Sequence, residues 1–252
     1  MSPTTIALTF AGSIFGGVLL GMALGRVLGV DQLSVDAKEA IKLGAGTISL
    51  MSALVLGLLV SSAKGNFDAT NDALTQGAAK IIMLDRVLQR YGAEAMPIRD
   101  ELRRAVAKGL ELIWGDAERE SRMKAIESTA PMEGVLDAIR GLAPQTETQS
   151  TLRAHAVQLC NELLLSRWLQ IEQAQTPMPR AFLAILFFWL TMLYTSFGLI
   201  APRKTTVVAV LLVGALSLGT AIFLILEMND PMSGTIRASS GPLRNALEHL
   251  RP

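Results

Sequence analysis

Few side chains in this sequence could take part in catalysis. Its 252 residues include one cysteine, Cys160, and two histidines, His155 and His249. These numbers exclude an intrachain disulfide and a zinc site rich in cysteine or histidine. His155 and Cys160 lie on different faces of a helix, and no nucleophile elbow, phosphate-binding glycine loop or metal-ligand pair accompanies them. We predict that the chain is not an enzyme, binds no catalytic metal and needs no cofactor.

One acidic cluster could contact a cation. Glu227 and Asp230, with Asn229 between them, offer oxygen donors immediately after the last apolar stretch of the chain. Calcium in proteins is usually held by roughly 6–8 oxygens, which favours a simpler interpretation of the cluster as the solvated end of a membrane span. A cation contact at Glu227 and Asp230 is kept as the alternative.

The composition indicates a membrane protein. Hydrophobic residues make up 50% of the chain and charged residues 18%, and the mean hydropathy is +0.40. A water-facing surface rarely tolerates such values. The net charge of +1 provides no global attraction for nucleic acid, so we expect no nucleic-acid partner.

Charged residues avoid four stretches of the sequence, near 5–25, 43–63, 181–202 and 205–226. Each stretch is about as long as the 20-residue helix that crosses a bilayer, so four transmembrane helices are predicted. A signal peptide is the alternative for the first stretch, but its first turn has no lysine or arginine. Positive charges near the span ends are similar in number on the two sides, so the positive-inside rule does not choose an orientation.

The segment between the second and third spans is rich in charge and follows a helical pattern. Leu102 and Val106 recur at helical spacing, as do Leu159 and Leu163, and Trp168 extends the second apolar face. We predict an all-α membrane protein with a helical cytosolic domain between spans two and three. Its predicted parts are spans one and two in residues 1–63, the helical domain in 64–180, spans three and four in 181–228, and a cytosolic C-terminal helix in 229–252.

Small residues line one side of the first span. Ser13, Gly17, Gly21 and Gly25 follow one another at every fourth position, and Gly29 continues the pattern. In lipid, such a stripe lets two helix backbones approach closely. We predict helix packing there, most simply against another span of the same chain, with contact between subunits as the alternative.

The second span belongs to a longer seven-residue repeat. Two rows of mostly small or apolar residues, which we call seams, repeat at every seventh position without interruption. One seam consists of Gly46, Ala53, Val60, Phe67, Leu74, Ile81 and Leu88, and the other of Ser49, Leu56, Ala63, Thr70, Gly77, Leu84 and Tyr91. The repeat predicts one continuous helix of roughly 70 Å. Gly65-Asn66 is the point at which that helix could break.

The membrane part of these seams could line a pore. Gly46, Ser49 and Ala53 would form a wettable mouth, and Leu56 and Val60 would form a narrower apolar ring that gates by dewetting. The alternative is that this seam of small residues only packs helices together.

A set of short segments, spread over nearly the whole chain from Val35 onward, has a familiar pattern. These segments are Lys42–Thr47, Ser52–Lys64, Phe67-Asp68, Leu84–Arg86, Tyr91–Glu94, Arg167-Trp168, Phe188–Leu190, Ser196–Leu199, Ala201-Pro202, Ile222–Glu227, Asp230-Pro231 and Pro242–Arg244. Together they resemble the bestrophin-like domain family of bacterial membrane proteins.

That resemblance implies a relation to bestrophins, which are homopentameric anion channels whose second span lines the pore. It implies a homo-oligomer in the bacterial inner membrane, with the termini and the middle domain in the cytosol. Two features depart from bestrophins: the second span contains no phenylalanine, and no dense acidic run follows the fourth span. We expect passive anion conduction, with inorganic ions and membrane lipid as partners. The alternative is a non-conducting membrane scaffold or signalling protein assembled through the long second helix.

Overall fold

The computed structural model describes residues 2–28, 34–115, 130–175, 180–202, 204–232 and 234–250. Within these ranges the chain is helical and contains no strand, which confirms the predicted all-α class. The helices are α1 (Pro3–Val27), α2 (Val35–Tyr91), α3 (Met96–Trp114), α4 (Ala130–Arg140), α5 (Glu147–Gln175), α6 (Arg180–Ile200), α7 (Thr205–Met228) and α8 (Gly241–His249), with a 3₁₀ turn at Ala93–Ala95 before α3.

Four of the described helices are long and apolar enough to cross a membrane. They are α1, part of α2, residues Ala181–Ile200 of α6, and α7. This result confirms the number and order of the predicted spans. The hairpin between α6 and α7 contains Arg203, which lies outside the described residues.

The chain divides into two compact units. The membrane unit consists of Met1–Asn66 and Pro177–Ile236, and the helical unit of Phe67–Thr176 and Arg237–Pro252. The predicted separate C-terminal part, 229–252, is thus shared between the two units. Its later residues join the helical unit because Ala246 and Leu250 are buried in that unit's core.

Apolar side chains from α1, α2, α6 and α7 form the core of the membrane unit. In that unit α1 packs against both α6 and α7. Ile14 and Val18 of α1 are completely buried, and Phe10 meets Phe187 edge to face at a centroid distance of 4.9 Å. The first turn of α1 is capped by the Ser2 hydroxyl, which accepts a hydrogen bond from a backbone N–H. The apolar core therefore includes all four candidate spans.

Helix α2 is continuous from Val35 to Tyr91, as the seven-residue repeat predicted. Gly65-Asn66 does not interrupt it. Asn66 instead donates a side-chain hydrogen bond to the carbonyl oxygen of Asn229 at 3.2 Å, which ties α2 to the end of α7 within the membrane unit.

The helical unit buries the apolar faces that the helical spacing indicated. Leu102 and Val106 of α3 and Leu159 and Leu163 of α5 all lie in its core. Trp168 differs from the prediction, because 54% of its surface is exposed on this chain. The core also includes the C-terminal helix α8, whose Leu243 and Leu247 stand at helical spacing and pack against the buried cluster that contains Ala246 and Leu250.

Candidate functional site

One face of α2 is buried in the membrane unit. Its position determines which other residues of α2 are exposed on this chain. Ala45, Ser52, Leu59 and Ala63 are buried there. Their separations of seven, seven and four positions place them on a single helix face. The opposite part of α2 is exposed on this chain and is available to a pore or to another subunit.

The predicted pore-lining residues fall into two groups. Gly46 and Ala53 are exposed, as is Val60 at 38%. We call these residues the exposed seam. Ser49 and Leu56 are half-buried, and Leu56 packs against the core of the membrane unit. The structure therefore brings three of the five residues to a common outward edge and turns the other two partly inward.

Two small residues beside the exposed seam were missed in the sequence. Gly57 and Ser61 are exposed, and they follow Ala53 at the four- and eight-residue spacings of one helix ridge. No atom of another element lies within 4 Å of a β-carbon placed at Gly57. The spacing of Ala53, Gly57 and Ser61 could have indicated them, but the seven-residue frame assigned them to other helix positions.

The exposed seam lies in a stretch of α2 that has no charged or aromatic side chain. From Leu43 to Ala63 the sequence contains no charged and no aromatic residue. The nearest charged residues along α2 are Lys42 before this stretch and Lys64 after it, and both are exposed. The seam therefore presents only small, uncharged side chains, with a lysine next along the helix in either direction.

The small-residue stripe of α1 faces α6. Gly21 and Gly25 are buried, and so is Gly17. A β-carbon at Gly21 would overlap the carbonyl oxygen of Thr195, and one at Gly25 would lie 2.9 Å from that of Leu199. Only a missing side chain allows this separation of the two backbones. The structure thus places these glycines at a helix contact within the chain.

Other small residues of α1 have different surroundings. Ser13 is half-buried, and Gly29 lies outside the described residues. Gly12 and Gly16 are exposed, and a β-carbon at either would meet nothing within 4 Å. They form a second small surface, which does not contribute to the contact with α6.

Glu227 has a clear structural partner in the turn that follows α7. Its side chain is 3% exposed, and one carboxylate oxygen accepts hydrogen bonds from the backbone N–H groups of Thr235 and Ile236, the latter at 3.0 Å. Gly234, with φ of +99°, lies directly against this carboxylate. Glu227 therefore holds the turn, while Asp230 is exposed. Within the described residues, no group of three or more His, Cys, Asp or Glu side chains is placed to hold a metal ion.

Comparison with known proteins assigns this arrangement to a family. A model of the bestrophin-like domain matches residues 12–243. The chain belongs to the bestrophin-like domain family. The match includes the exposed seam, the whole small-residue stripe and most of each compact unit, and it confirms the resemblance noted in the sequence. No curated protein matches the chain.

Solved structures share the bestrophin-like fold. A bacterial bestrophin homologue from Klebsiella pneumoniae matches with a TM-score of 0.63 and 16% identity, covering 94% of this chain and 96% of that chain. A tryptophan-to-alanine variant of the Klebsiella homologue matches with a TM-score of 0.66 and 14% identity, covering 99% and 97%. At these identities the likeness describes the fold, and the chemistry of the seam has to be argued from this chain's own residues.

Proposed function

We propose that this bestrophin-like protein forms a homo-oligomeric channel in the bacterial inner membrane and conducts anions passively. The observation that carries the proposal is the exposed seam. It is an uncharged edge of small residues on a candidate membrane span, in a chain whose family and fold are bestrophin-like. Copies of α2 arranged around an axis would enclose a narrow path with this edge as its wall.

The seam supports distinct roles for its two ends. Gly46 lies near one end of the uncharged stretch and Ala53 at its middle, and neither carries a large side chain, so both leave space. Val60 is the bulkiest residue of the exposed seam and stands near the opposite end. An apolar constriction of this kind opens or closes by wetting and dewetting. Half-buried Ser49 and Leu56 border the path, and Leu56 also helps to hold the orientation of α2 because it packs against the core of the membrane unit.

Anion preference is supported by the charges that flank the seam. Lys42 and Lys64 are the first charged residues on either side of the uncharged stretch, and both are exposed. In an oligomer they would form two rings of positive charge. Basic rings raise the local concentration of anions and repel cations.

A planar-bilayer recording of the purified oligomer under a potassium chloride gradient tests the function. We expect discrete currents whose reversal potential lies toward the chloride equilibrium potential. A reversal potential near that of potassium would contradict anion preference while leaving a pore in place. Silence from a well-folded oligomer over a range of voltages would contradict conduction itself.

Substitutions on opposite sides of α2 test which face lines the pore. Val60→Ser should increase single-channel conductance or open probability, because a hydroxyl makes the constriction easier to wet. Met51→Ser is the matched control: Met51 is 51% exposed, and it precedes Val60 by nine residues, which is about two and a half helical turns. Equal effects of the two substitutions would contradict the proposed face. Leu56→Ser is less informative, because Leu56 also packs in the core.

One surface of the helical unit favours a second candidate, a non-conducting scaffold. Leu165, Trp168 and Leu169 project from one side of α5 and are between 53% and 60% exposed. Exposed apolar groups at this spacing suit a protein contact. Purification of a stable complex with a different protein, together with absence of flux, would support the scaffold.

A further inference from the structure

A groove in the membrane unit lies where α1 ends and α7 begins. It has a volume of about 470 Å³. Its lining consists of the apolar residues Leu19, Met22, Ala23 and Val208 and the polar residues Arg26, Lys204 and Thr205. Because α1 and α7 pack against each other, the groove is bounded by two candidate membrane spans at one end of the unit.

Two positive charges dominate the polar end of this groove. Arg26 and Lys204 are exposed, and neither forms an ion pair among the described residues. The described lining contains no acidic side chain that could neutralise them. Thr205 adds a hydroxyl to the lining. These groups together match a negatively charged oxygen-rich head rather than a neutral or cationic one.

The first turn of α7 adds to this positive field. Its N-cap residue, Lys204, provides no side-chain acceptor for the first N–H groups of the helix. The N-terminal end of a helix carries a partial positive charge, and its free N–H groups bind anionic oxygens. The helix terminus therefore reinforces the preference set by the two cations.

The apolar part of the groove extends in the direction of the bilayer. Leu19 is 50% exposed, Ala23 is exposed, and Met22 and Val208 are half-buried. These residues precede Arg26 along α1 and follow Lys204 along α7, so they lie deeper in the spans than the cations. An occupant needs an anionic head at the membrane surface and a hydrocarbon chain beside α1.

We propose that this groove binds an anionic phospholipid, with its phosphate held by Arg26, Lys204 and the start of α7. The acyl chains lie against Leu19 and Ala23. Basic pockets between membrane helices recognise anionic headgroups through this combination of charge and apolar surface. Lipid binding at this groove requires only that the chain spans a membrane, so it does not depend on whether the protein conducts ions.

Native mass spectrometry of the purified protein in detergent tests the site with two defined lipids. Phosphatidylglycerol should bind more tightly than phosphatidylcholine. Each cation near an anionic membrane surface contributes a factor of about five, so R26Q/K204Q should weaken phosphatidylglycerol binding by roughly 30-fold. Its phosphatidylcholine binding should stay unchanged. Equal affinity of the native protein for the two lipids, or unaltered lipid preference in R26Q/K204Q, would overturn the proposal.

K38Q/K42Q is the matched control for charge. It also removes two cations. Both lie just before the uncharged stretch of α2, in the part of the chain that connects the first span to the second. It should retain the preference for phosphatidylglycerol, and loss of the preference would show a diffuse surface effect instead of a site. If R26Q/K204Q does not fold, Lys204→Gln is compared with Arg26→Lys, which keeps the charge and should keep the binding.

A soluble competitor separates a lipid site from a site for free phosphate. Glycerol phosphate carries the same anionic group without acyl chains, so it should not displace phosphatidylglycerol at equal concentration. Efficient displacement would show that the apolar floor contributes nothing and would overturn the assignment to lipid.

Discussion

Glycine at position 21 controls how closely α1 approaches α6. A β-carbon there would overlap the carbonyl oxygen of Thr195, whereas one at Gly16 would meet nothing within 4 Å. We expect Gly21→Ala to destabilise the membrane unit by on the order of 1–3 kcal/mol, because two backbones must separate. Thermal unfolding in detergent measures the effect. Gly16→Ala is the control and should be neutral or slightly stabilising, so equal losses in the two variants would contradict the close contact.

The thiol of Cys160 makes the helical unit sensitive to alkaline pH. Burial raises its pKa from 9.0 to about 11, and the charge of Arg140 opposes the rise. The unfolded chain therefore loses this proton at a lower pH than the folded chain does. The thiol's contribution to stability is complete below about pH 9 and is lost as the pH rises to about 11, by up to about 3 kcal/mol.

Denaturant unfolding at pH 8 and at high pH compares the native protein with Cys160→Ala. The variant lacks the titrating group, so its stability should fall less between the two pH values. Any loss of packing in the variant is the same at both pH values and cancels in the comparison. Parallel falls in the two proteins would rule out Cys160 as a source of the pH dependence.

Helices α2 and α3 are joined by a buried ion pair in the helical unit. Arg99 binds both carboxylate oxygens of Asp85, at 2.7 and 3.0 Å, and the side chains are 12% and 2% exposed. Asp85→Asn leaves the guanidinium without its counter-charge and should cost about 3–5 kcal/mol. Chemical denaturation gives the loss. The control is Asp137→Asn, which removes an exposed pair with Arg140 and should cost less than about 1 kcal/mol.

Rotation of α2 about its own axis decides which of its residues would line the proposed pore. The seven-residue repeat correctly predicted a continuous helix, because the repeat is a property of neighbouring turns. It placed Leu56 and Val60 together on the proposed constriction. The structure separates them: Leu56 packs on the membrane core and Val60 is exposed. Burial of Ala45, Leu59 and Ala63 in the core of the membrane unit sets this rotation, and most of that core comes from residues far away in the sequence.

Orientation of the whole molecule in the membrane can be tested with single cysteines in a Cys160→Ala background. We expect Lys42→Cys to react with a membrane-impermeant maleimide in intact spheroplasts, because four spans with cytosolic termini would put the segment before the second span on the outer side. Glu94→Cys, in the helical unit, should react only after the membrane is opened. Both positions are exposed on the chain, so any difference in their labelling comes from the side of the bilayer on which each lies. The reverse labelling pattern would place the helical unit outside the cell.

Contacts within each unit explain features that no single helix predicts. Trp114 of α3 donates a hydrogen bond to the carbonyl oxygen of Ala238 at 2.9 Å, and Leu250 is buried in the same unit. The C-terminal residues from Arg237 onward, including helix α8, therefore belong to the helical unit. Glu227 likewise accepts hydrogen bonds from the backbone N–H groups of Thr235 and Ile236, because the turn after α7 brings these residues back to it.

Local patterns were sufficient for the all-α class, the four candidate spans and the buried faces of α3 and α5. Apolar length and helical spacing act over a few turns, so neighbouring residues carry the whole signal. The contact of Gly21 with α6, the inward turn of Leu56 and the presence of Arg26 and Lys204 in one groove depended on the packed structure. Each joins residues that are distant in the chain, and their separation is set by how complete helix surfaces fit together.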